Sequence, residues 1–312
     1  AGFACAAGAQ AQALKLTLGH GAAVGNPRHE ASVKFAEVVK AKSGGRIEVQ
    51  VAPSAQLGDD AAMVTALRTG ALDLSANSQG AVANAVPEYA AFGMPFAFSS
   101  PAAAFKLLDG PLGKELADKS AEKGLILLGT WDNGIRQITN SKRPISKVED
   151  MKGLKMRVPP DATLVDIMTA LGAESQQIKF AELYVALQQG VVDGQENPLV
   201  NIHASKLYEV QKHLALTNHQ FQMTPFLMSK RTWDKLSDAD RKAVQEAAAE
   251  ATALQRKLSA EADEKLLADL KSKGVQVTTV DKAAFAKATA DVAAKWEAGP
   301  IGPYVKKVLA AA

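Results

Sequence analysis

The chain has 312 residues, of which 47% are hydrophobic and 22% charged, as in an ordinary soluble protein of one or two domains. The net charge of +3 is small and no basic run stands out, so nothing argues for nucleic acid as a partner. The five histidines lack metal-ligand spacing, and no later run of about 18 apolar residues predicts a membrane span.

Residues 1–13, AGFACAAGAQAQA, are small, apolar and uncharged, which is typical of the end of a secretory signal. Ala9-Gln10-Ala11 and Ala11-Gln12-Ala13 both fit a cleavage site. We therefore predict a mature protein that begins near Leu14 and lacks cysteine, since Cys5 is the single cysteine. Such a chain suits the oxidising periplasm. A lipid anchor on Cys5 is the alternative, although the usual preceding leucine is missing.

The first half of the chain alternates strand-like and helix-like segments, which predicts a largely parallel α/β sheet. The predicted strands are Leu14–His20, Ile47–Val51, Leu72–Ser75 and Leu125–Gly129, and the helices are Pro27–Lys42, Asp60–Arg68 and Pro101–Gly124. The segment Phe92–Phe96 suits either a strand near a domain edge or a loop packed on the core. Residues 131–139, which include Arg136, predict a crossover into a second domain.

The segment Gly153–Pro159 (GLKMRVP) predicts a half-buried strand that ends at Arg157. Open α/β folds place ligand contacts at such strand ends. Because a guanidinium group forms two parallel hydrogen bonds with a carboxylate, Arg157 is our candidate anchor for a small organic acid. The alternative is a surface arginine that pairs with a neighbouring acid.

Two twelve-residue segments, ALRTGALDLSAN (66–77) and ALQQGVVDGQEN (186–197), align without a gap. Each predicts the end of a helix, a glycine, a short strand and a polar tip with asparagine. The match indicates either an internal duplication or chance, since helix–glycine–strand recurs in α/β proteins. Two similar lobes would enclose a cleft, where ligands preferentially bind.

A helical pattern begins at Ser237 with a capping box and continues to about Lys273. Such a helix would be about 54 Å long, enough to cross both lobes. The alternative is two helices broken near Ser259. A strand over Val275–Val280 and helices over Phe285–Trp296 and Tyr304–Leu309 complete the predicted elements.

Several motifs together resemble the substrate-binding proteins of tripartite ATP-independent periplasmic (TRAP) transporters, the dicarboxylate-receptor-like family. They are MKGLKMRVP, NGIRQITN, ALQQGVVDGQENP, SAQLGDD and LYEVQKHLALTNH, together with the signal-like start. The resemblance covers nearly all of the chain from Leu14 to Leu309. It implies an α/β, two-lobed periplasmic-binding-protein-like fold with a ligand cleft and a long helix spanning both lobes. We expect lobe one to comprise residues 14–134 plus 223–262, and lobe two residues 135–222 plus 263–312.

The resemblance also implies the ligand contacts. Arg157 pairs with the substrate carboxylate, Arg136 and Asn197 complete that side, and Phe180 covers the ligand. Lobe one contributes three further contacts, which are His20 in the loop after the first strand, Asp59, and Asn77 at the tip. Members similar to the sialic-acid binders carry glutamate where this chain has Asn77. The amide instead suits a hydroxyl or carbonyl oxygen of a smaller acid, such as a sugar acid, hydroxy acid, oxo acid or C4-dicarboxylate.

Each contact also has a purely structural interpretation. Arg136 could tie the crossover strands together, Asn197 could be a turn residue before a proline, and Phe180 could be ordinary core. His20 could cap a loop, and Asp59 could be the acid at a helix start.

We therefore expect a periplasmic receptor without cofactor, a monomer, that binds a small-molecule organic acid and delivers it to membrane permease subunits. A two-lobed enzyme acting on a small carboxylic acid is the alternative. Against it, the sequence contains no phosphate loop and no G-x-S-x-G motif, and Glu196 is the only acid close to Arg157 in the motifs. A sensor domain of a signalling protein is the third interpretation.

Overall fold

The computed structural model of the chain describes residues 12–312. The predicted cleavage sites and Cys5 lie outside or at the edge of this part. The strands are Leu14–His20 (β1), Ile47–Ala52 (β2), Leu74–Ala76 (β3), Leu125–Ile135 (β4), Gln137–Asn140 (β5), Lys155–Val158 (β6), Glu174–Gln177 (β7), Gly194–Asn197 (β8), His213–Leu216 (β9), Phe221–Ser229 (β10) and Gln276–Thr279 (β11).

The helices lie between these strands and after them. They are Pro27–Lys42 (α1), Asp60–Thr69 (α2), Gln79–Ala83 (α3), Pro101–Leu108 (α4), Pro111–Glu122 (α5), Ala162–Ala170 (α6), Phe180–Gln188 (α7), Leu199–Ala204 (α8), Lys230–Trp233 (α9), Asp238–Ser272 (α10), Lys282–Ala288 (α11), Ala290–Glu297 (α12) and Gly302–Ala311 (α13). Among the described residues, no helix is both long enough and apolar enough to cross a membrane.

The strands form two separate sheets, which define the two lobes. The sheet of lobe one has the order β2-β1-β3-β10-β4, and the sheet of lobe two has the order β11-β9-β5-β8-β6-β7. Apolar side chains of the helices cover the sheets and form the lobe cores. The prediction of a two-lobed α/β fold is confirmed.

The two sheets share one topology over five strands. Strands β2, β1, β3, β10 and β4 correspond to β7, β6, β8, β5 and β9, with the same parallel or antiparallel pairing at every step. The equivalent aspartates of the two repeats also form the same type of hydrogen bond. Asp73 accepts a hydrogen bond from the Thr17 amide of β1, and Asp193 accepts one from the Lys155 amide of β6. The repeated twelve-residue pattern therefore occupies the same place in both lobes.

Within residues 12–312, four stretches connect the lobes: the β4–β5 and β9–β10 segments, the long helix α10, and the connection from α12 to α13. Ala247 and Ala251 of α10 are buried in the core of lobe one, whereas Leu270 is buried in the core of lobe two. At about 1.5 Å per residue, its 35 residues span about 53 Å. The helix is continuous, so the prediction that it spans both lobes is confirmed and the alternative of a break near Ser259 is wrong.

The C-terminal helix departs from the expected lobe boundary. The expected boundary places residues 263–312 in lobe two, but Tyr304, Val305 and Val308 of α13 are buried in the core of lobe one. The Tyr304 hydroxyl donates a hydrogen bond to the carbonyl oxygen of Leu112, 2.8 Å away. An amphipathic pattern shows that a short helix has a buried face, but not which lobe that face covers.

One local prediction also needs correction, and one open alternative is resolved. The helix predicted over Pro101–Gly124 is two helices, α4 and α5, because Pro111 cannot donate the amide hydrogen bond that a continuous helix requires. The segment Phe92–Phe96 is not a strand. It continues a 3₁₀ turn over Pro87–Gly93 and packs on the core, which was the second of our two interpretations.

Candidate ligand-binding site

A cavity of about 140 Å³ lies between the lobes. Lobe one lines it with the loop after β1 and the starts of α1 and α2, and lobe two lines it with the ends of β6 and β8 and the start of α7. These are carboxyl ends of parallel strands, where α/β sheets bind ligands. The volume is well below the roughly 300–1,000 Å³ of clefts that hold drug-sized molecules, so a small metabolite fits.

Arg157 lies in β6 near its end and lines the cavity while only 1% of its surface is exposed. Its Nε donates to the carbonyl oxygen of Ile178 at 2.8 Å, which orients the guanidinium plane. Among the described residues, this is the one hydrogen bond of its side chain, so both terminal nitrogens remain for a ligand. Burial lowers the pKa of Arg157 to about 9, and at neutral pH the group stays charged.

Arg136 also lines the cavity, but most of its donors are already used. Its Nε and Nη2 bind the carboxylate of Glu196, and Nη1 donates to Gln222 Oε1 at 2.8 Å. Burial alone would raise the pKa of Glu196, but Arg136 and His219 hold it below its usual value. Arg136 thus has the structural role of joining the crossing strands and still presents positive charge to the cavity. Glu196 is buried behind it and does not line the cavity.

Asn197 lines the cavity within a chain of amides that joins the lobes. Its Oδ1 accepts from Asn201 Nδ2 at 3.1 Å, and Asn201 Oδ1 accepts from Asn26 Nδ2 at 2.9 Å. Asn26 is the N-cap of α1 in lobe one, whereas Asn201 lies in α8 of lobe two. Asn201 Nδ2 also donates to Asn133 Oδ1, which in turn accepts from Arg28. This chain of amides fixes the floor of the cavity.

Phe180 and Asp59 lie on opposite walls of the cavity. Phe180 is the first residue of α7 and its ring centroid is 5.8 Å from Arg157 Cζ. Asp59 caps α2 by accepting from the Ala62 amide, and its other oxygen contacts Lys179 Nζ at 2.7 Å. Because Lys179 belongs to lobe two, this pair bridges the two lobes and lowers the pKa of Asp59.

Two predicted contacts, His20 and Asn77, do not line the cavity. The His20 ring bonds His29 and the amide of Ala22, and it is Gly21 and Ala22 that face the cavity. Burial, with Arg28 and His29 nearby, lowers the pKa of His20 to about 3, so the ring is neutral. Asn77 is fully buried and its Oδ1 accepts from Ser75. Both residues lie behind the lobe-one wall of the cavity and hold it through these hydrogen bonds.

The structure adds two charged residues that the sequence analysis missed, Arg28 and Asp60. Arg28 is in the first turn of α1, is 7% exposed, and donates from Nη2 to Asn133 Oδ1 and Thr224 Oγ1. An arginine at a helix N-terminus opposes the helix dipole, a signal that could have identified it. Asp60 follows the cap of α2, and its Oδ2 accepts from the Ser78 amide at 3.0 Å.

Comparison with protein families places the chain among known receptors. The family model DctP, described as bacterial extracellular solute-binding protein, family 7, matches residues 18–298. An uncharacterized protein, y4mM of Sinorhizobium fredii, is 55% identical over 278 residues, which cover 89% of this chain and 51% of that protein. The chain thus spans about half the length of this relative.

Solved structures match over almost the whole chain. The sugar acid binding protein DctPAm of Advenella mimigardefordensis, in complex with galactonate, has a TM-score of 0.93 and 37% identity, covering 96% of this chain and 98% of that one. A TRAP periplasmic solute-binding protein of Polaromonas sp. JS666, bound to D-erythronate, has a TM-score of 0.92 and 37% identity, covering 95% and 98%. The chain therefore belongs to the DctP family of bacterial extracellular solute-binding proteins.

Proposed function

We propose that this protein binds a small organic acid in the cavity between its lobes and delivers it to the membrane permease of a TRAP transporter. The observation that carries the proposal is Arg157, a buried guanidinium group that faces the cavity with its two terminal nitrogens available. A bidentate carboxylate is the ligand group that best fits this arrangement. Two structures similar to this chain contain galactonate and D-erythronate, which are both sugar acids.

The other predicted contacts divide into direct and supporting roles. Arg136, Asn197, Phe180 and Asp59 line the cavity and, in this proposal, complete the ligand contacts. His20 and Asn77 lie behind the wall and act on the ligand only through the residues they hold.

Ligand binding would favour the closed arrangement of the lobes. An acid held by Arg157 on lobe two gains contacts with lobe one only when the cleft is shut, so it shifts the population towards the closed state. The Lys179–Asp59 and Asn201–Asn26 pairs join the lobes in the same arrangement. We propose that the protein acts as a monomer.

Calorimetry with Arg157→Ala tests the anchor. Losing two charge-assisted hydrogen bonds of about 1.5–3 kcal/mol each should weaken binding at least about a hundredfold. Arg231→Ala, which removes an exposed arginine of lobe one, is the matched control and should bind normally. Circular dichroism checks that both variants fold. Unchanged affinity of folded Arg157→Ala would contradict the assignment.

We further propose that the protein leaves its ligand chemically unchanged, as expected for a receptor rather than an enzyme. Glu196, the candidate acid of the sequence motifs, is buried and ion-paired with Arg136, and it does not line the cavity. The protein should therefore be incubated with the bound acid and the acid recovered for mass spectrometry. Recovery of the intact acid supports the receptor, and a product of different mass supports the enzyme.

A further inference from the structure

The side chains that line the cavity, counted together with the ion-pair partner of Arg136, carry an excess of one positive charge. Arg28, Arg136, Arg157 and Lys179 line the cavity together with Asp59 and Asp60. Lys179 is paired with Asp59, and Arg136 is paired with Glu196 directly behind it. Of the charged residues that line the cavity, Arg28, Arg157 and Asp60 are then left outside these two ion pairs, two positive charges and one negative.

Asp60 lies where it can act on both of these arginines. Its charge stabilises the protonated forms of Arg28 and Arg157 alike. Its Oδ2 accepts from the Ser78 amide, and its Oδ1 accepts no hydrogen bond from the described residues. This oxygen can therefore accept a hydrogen bond from a ligand, but it repels a second ligand carboxylate.

One more acid, Asp161, lies close to the cavity without lining it. It accepts from Gln222 Nε2 at 2.7 Å and from the Thr163 hydroxyl. Burial raises the pKa of its carboxyl. Because its oxygens are occupied on the far side of Gln222, it adds no acceptor to the cavity surface.

We infer that Arg28 and Asp60 make this receptor selective for polyhydroxy monocarboxylates over dicarboxylates. In this arrangement one ligand carboxylate pairs with the terminal nitrogens of Arg157. The other end of the ligand then meets an acceptor, Asp60 Oδ1, and a donor, the Arg28 guanidinium group. A hydroxyl group can donate to the first and accept from the second, whereas a carboxylate can only accept. This inference rests on the proposed function, since it places the ligand carboxylate on Arg157.

Matched pairs of acids test this selectivity by calorimetry. Galactonate and galactarate differ only in one terminal group, which is a hydroxymethyl in the first and a carboxylate in the second. Erythronate and meso-tartrate form the shorter pair, and butyrate is erythronate without its hydroxyls. The protein should bind the monocarboxylate of at least one pair about tenfold or more tightly than its dicarboxylate, and butyrate more weakly than erythronate.

Asp60→Asn tests which residue causes the preference. The amide retains the acceptor for Ser78 but carries no charge, so the preference for the monocarboxylate should fall by about tenfold. Glu37→Gln removes one charge from the same lobe at an exposed position and should leave the preference unchanged. Thermal melting shows whether each variant is folded.

The outcomes separate this inference from the proposed function. Equal or tighter binding of the dicarboxylate in both pairs, or an unchanged preference in folded Asp60→Asn, would overturn the selectivity while leaving the receptor intact. If other carboxylic acids bind but neither erythronate nor galactonate does, the selectivity also fails. If no organic acid binds at all, the proposed function itself fails.

Discussion

At the scale of single residues, the cavity depends on how buried charges are paired. Arg157 was identified from a strand-end pattern because strand alternation and the following prolines are local signals. Arg28 was missed because its partners Asn133 and Thr224 lie 105 and 196 residues away in sequence. His20 carries a polar side chain after a strand, yet its ring turns to His29. Sequence position thus predicts which residues approach the cleft, but not which way each side chain points.

Removal of one partner of the Arg136–Glu196 ion pair should destabilise the protein strongly. Glu196→Ala would leave Arg136 buried at 2% exposure beside His219 without its counter-charge. The free energy of unfolding, measured by urea denaturation, should fall by about 3–5 kcal/mol, which is the usual effect of leaving a buried charge without its partner. Glu37→Gln, which changes an exposed acid, serves as the control. A loss below about 1 kcal/mol would show that the pair contributes little.

His20 should make stability depend on pH in acid. Burial lowers its folded pKa from 6.5 to about 3, so the unfolded chain binds a proton that the folded protein excludes. The contribution of the neutral, buried His20 ring to the free energy of unfolding is therefore fully present above the unfolded pKa. It is lost as the pH falls from about 6.5 towards 3, at about 1.4 kcal/mol per pH unit. His20→Gln, compared with the parent protein by urea denaturation at several pH values, should have a shallower slope across this window. Parallel curves would contradict the burial argument.

At the scale of elements, the sequence predicted most strands and helices and failed where a choice depended on distant packing. The long helix α10 was predictable because its cap and glycine stop are local. The lobe that receives α13 was not, because both cores are apolar. The repeated segments 66–77 and 186–197 predicted equivalent strands, β3 and β8, before any sheet was visible. Gly19 of β1 pairs with β3 at the position where Arg157 of β6 pairs with β8. Lobe one therefore has a glycine at the position that is equivalent to the proposed anchor in lobe two.

Gln255 is one of the residues of α10 that hydrogen-bond the crossing strand β4, together with Thr252 and Arg256. Its side chain accepts from the Asp132 amide and donates to the Asp132 carbonyl oxygen, at 2.6 and 2.7 Å. Gln255→Leu would leave both buried backbone groups unpaired, which should cost about 1–3 kcal/mol for each in the free energy of unfolding. Gln245→Leu, at an exposed position of the same helix, should change stability little. Equal effects of the two variants in urea denaturation would refute this role.

At the scale of the whole molecule, the cleft is held by contacts that cross from one lobe to the other. The α10 helix and the β4–β5 and β9–β10 segments are continuous, whereas the Lys179–Asp59 and Asn201–Asn26 contacts can separate. The bound acid should therefore reduce the radius of gyration measured by small-angle X-ray scattering, because it adds contacts between lobes. Arg157→Ala should show no such reduction at the same acid concentration. An identical reduction in the radius of gyration of both proteins would show that closure of the lobes does not depend on Arg157.

A crystal structure of the protein with a bound sugar acid tests the central claim most directly. The account predicts the ligand carboxylate within about 2.7–2.9 Å of both terminal nitrogens of Arg157, inside the cavity between the lobes. A carboxylate held elsewhere, with the Arg157 guanidinium group contacting only protein or water, would contradict it.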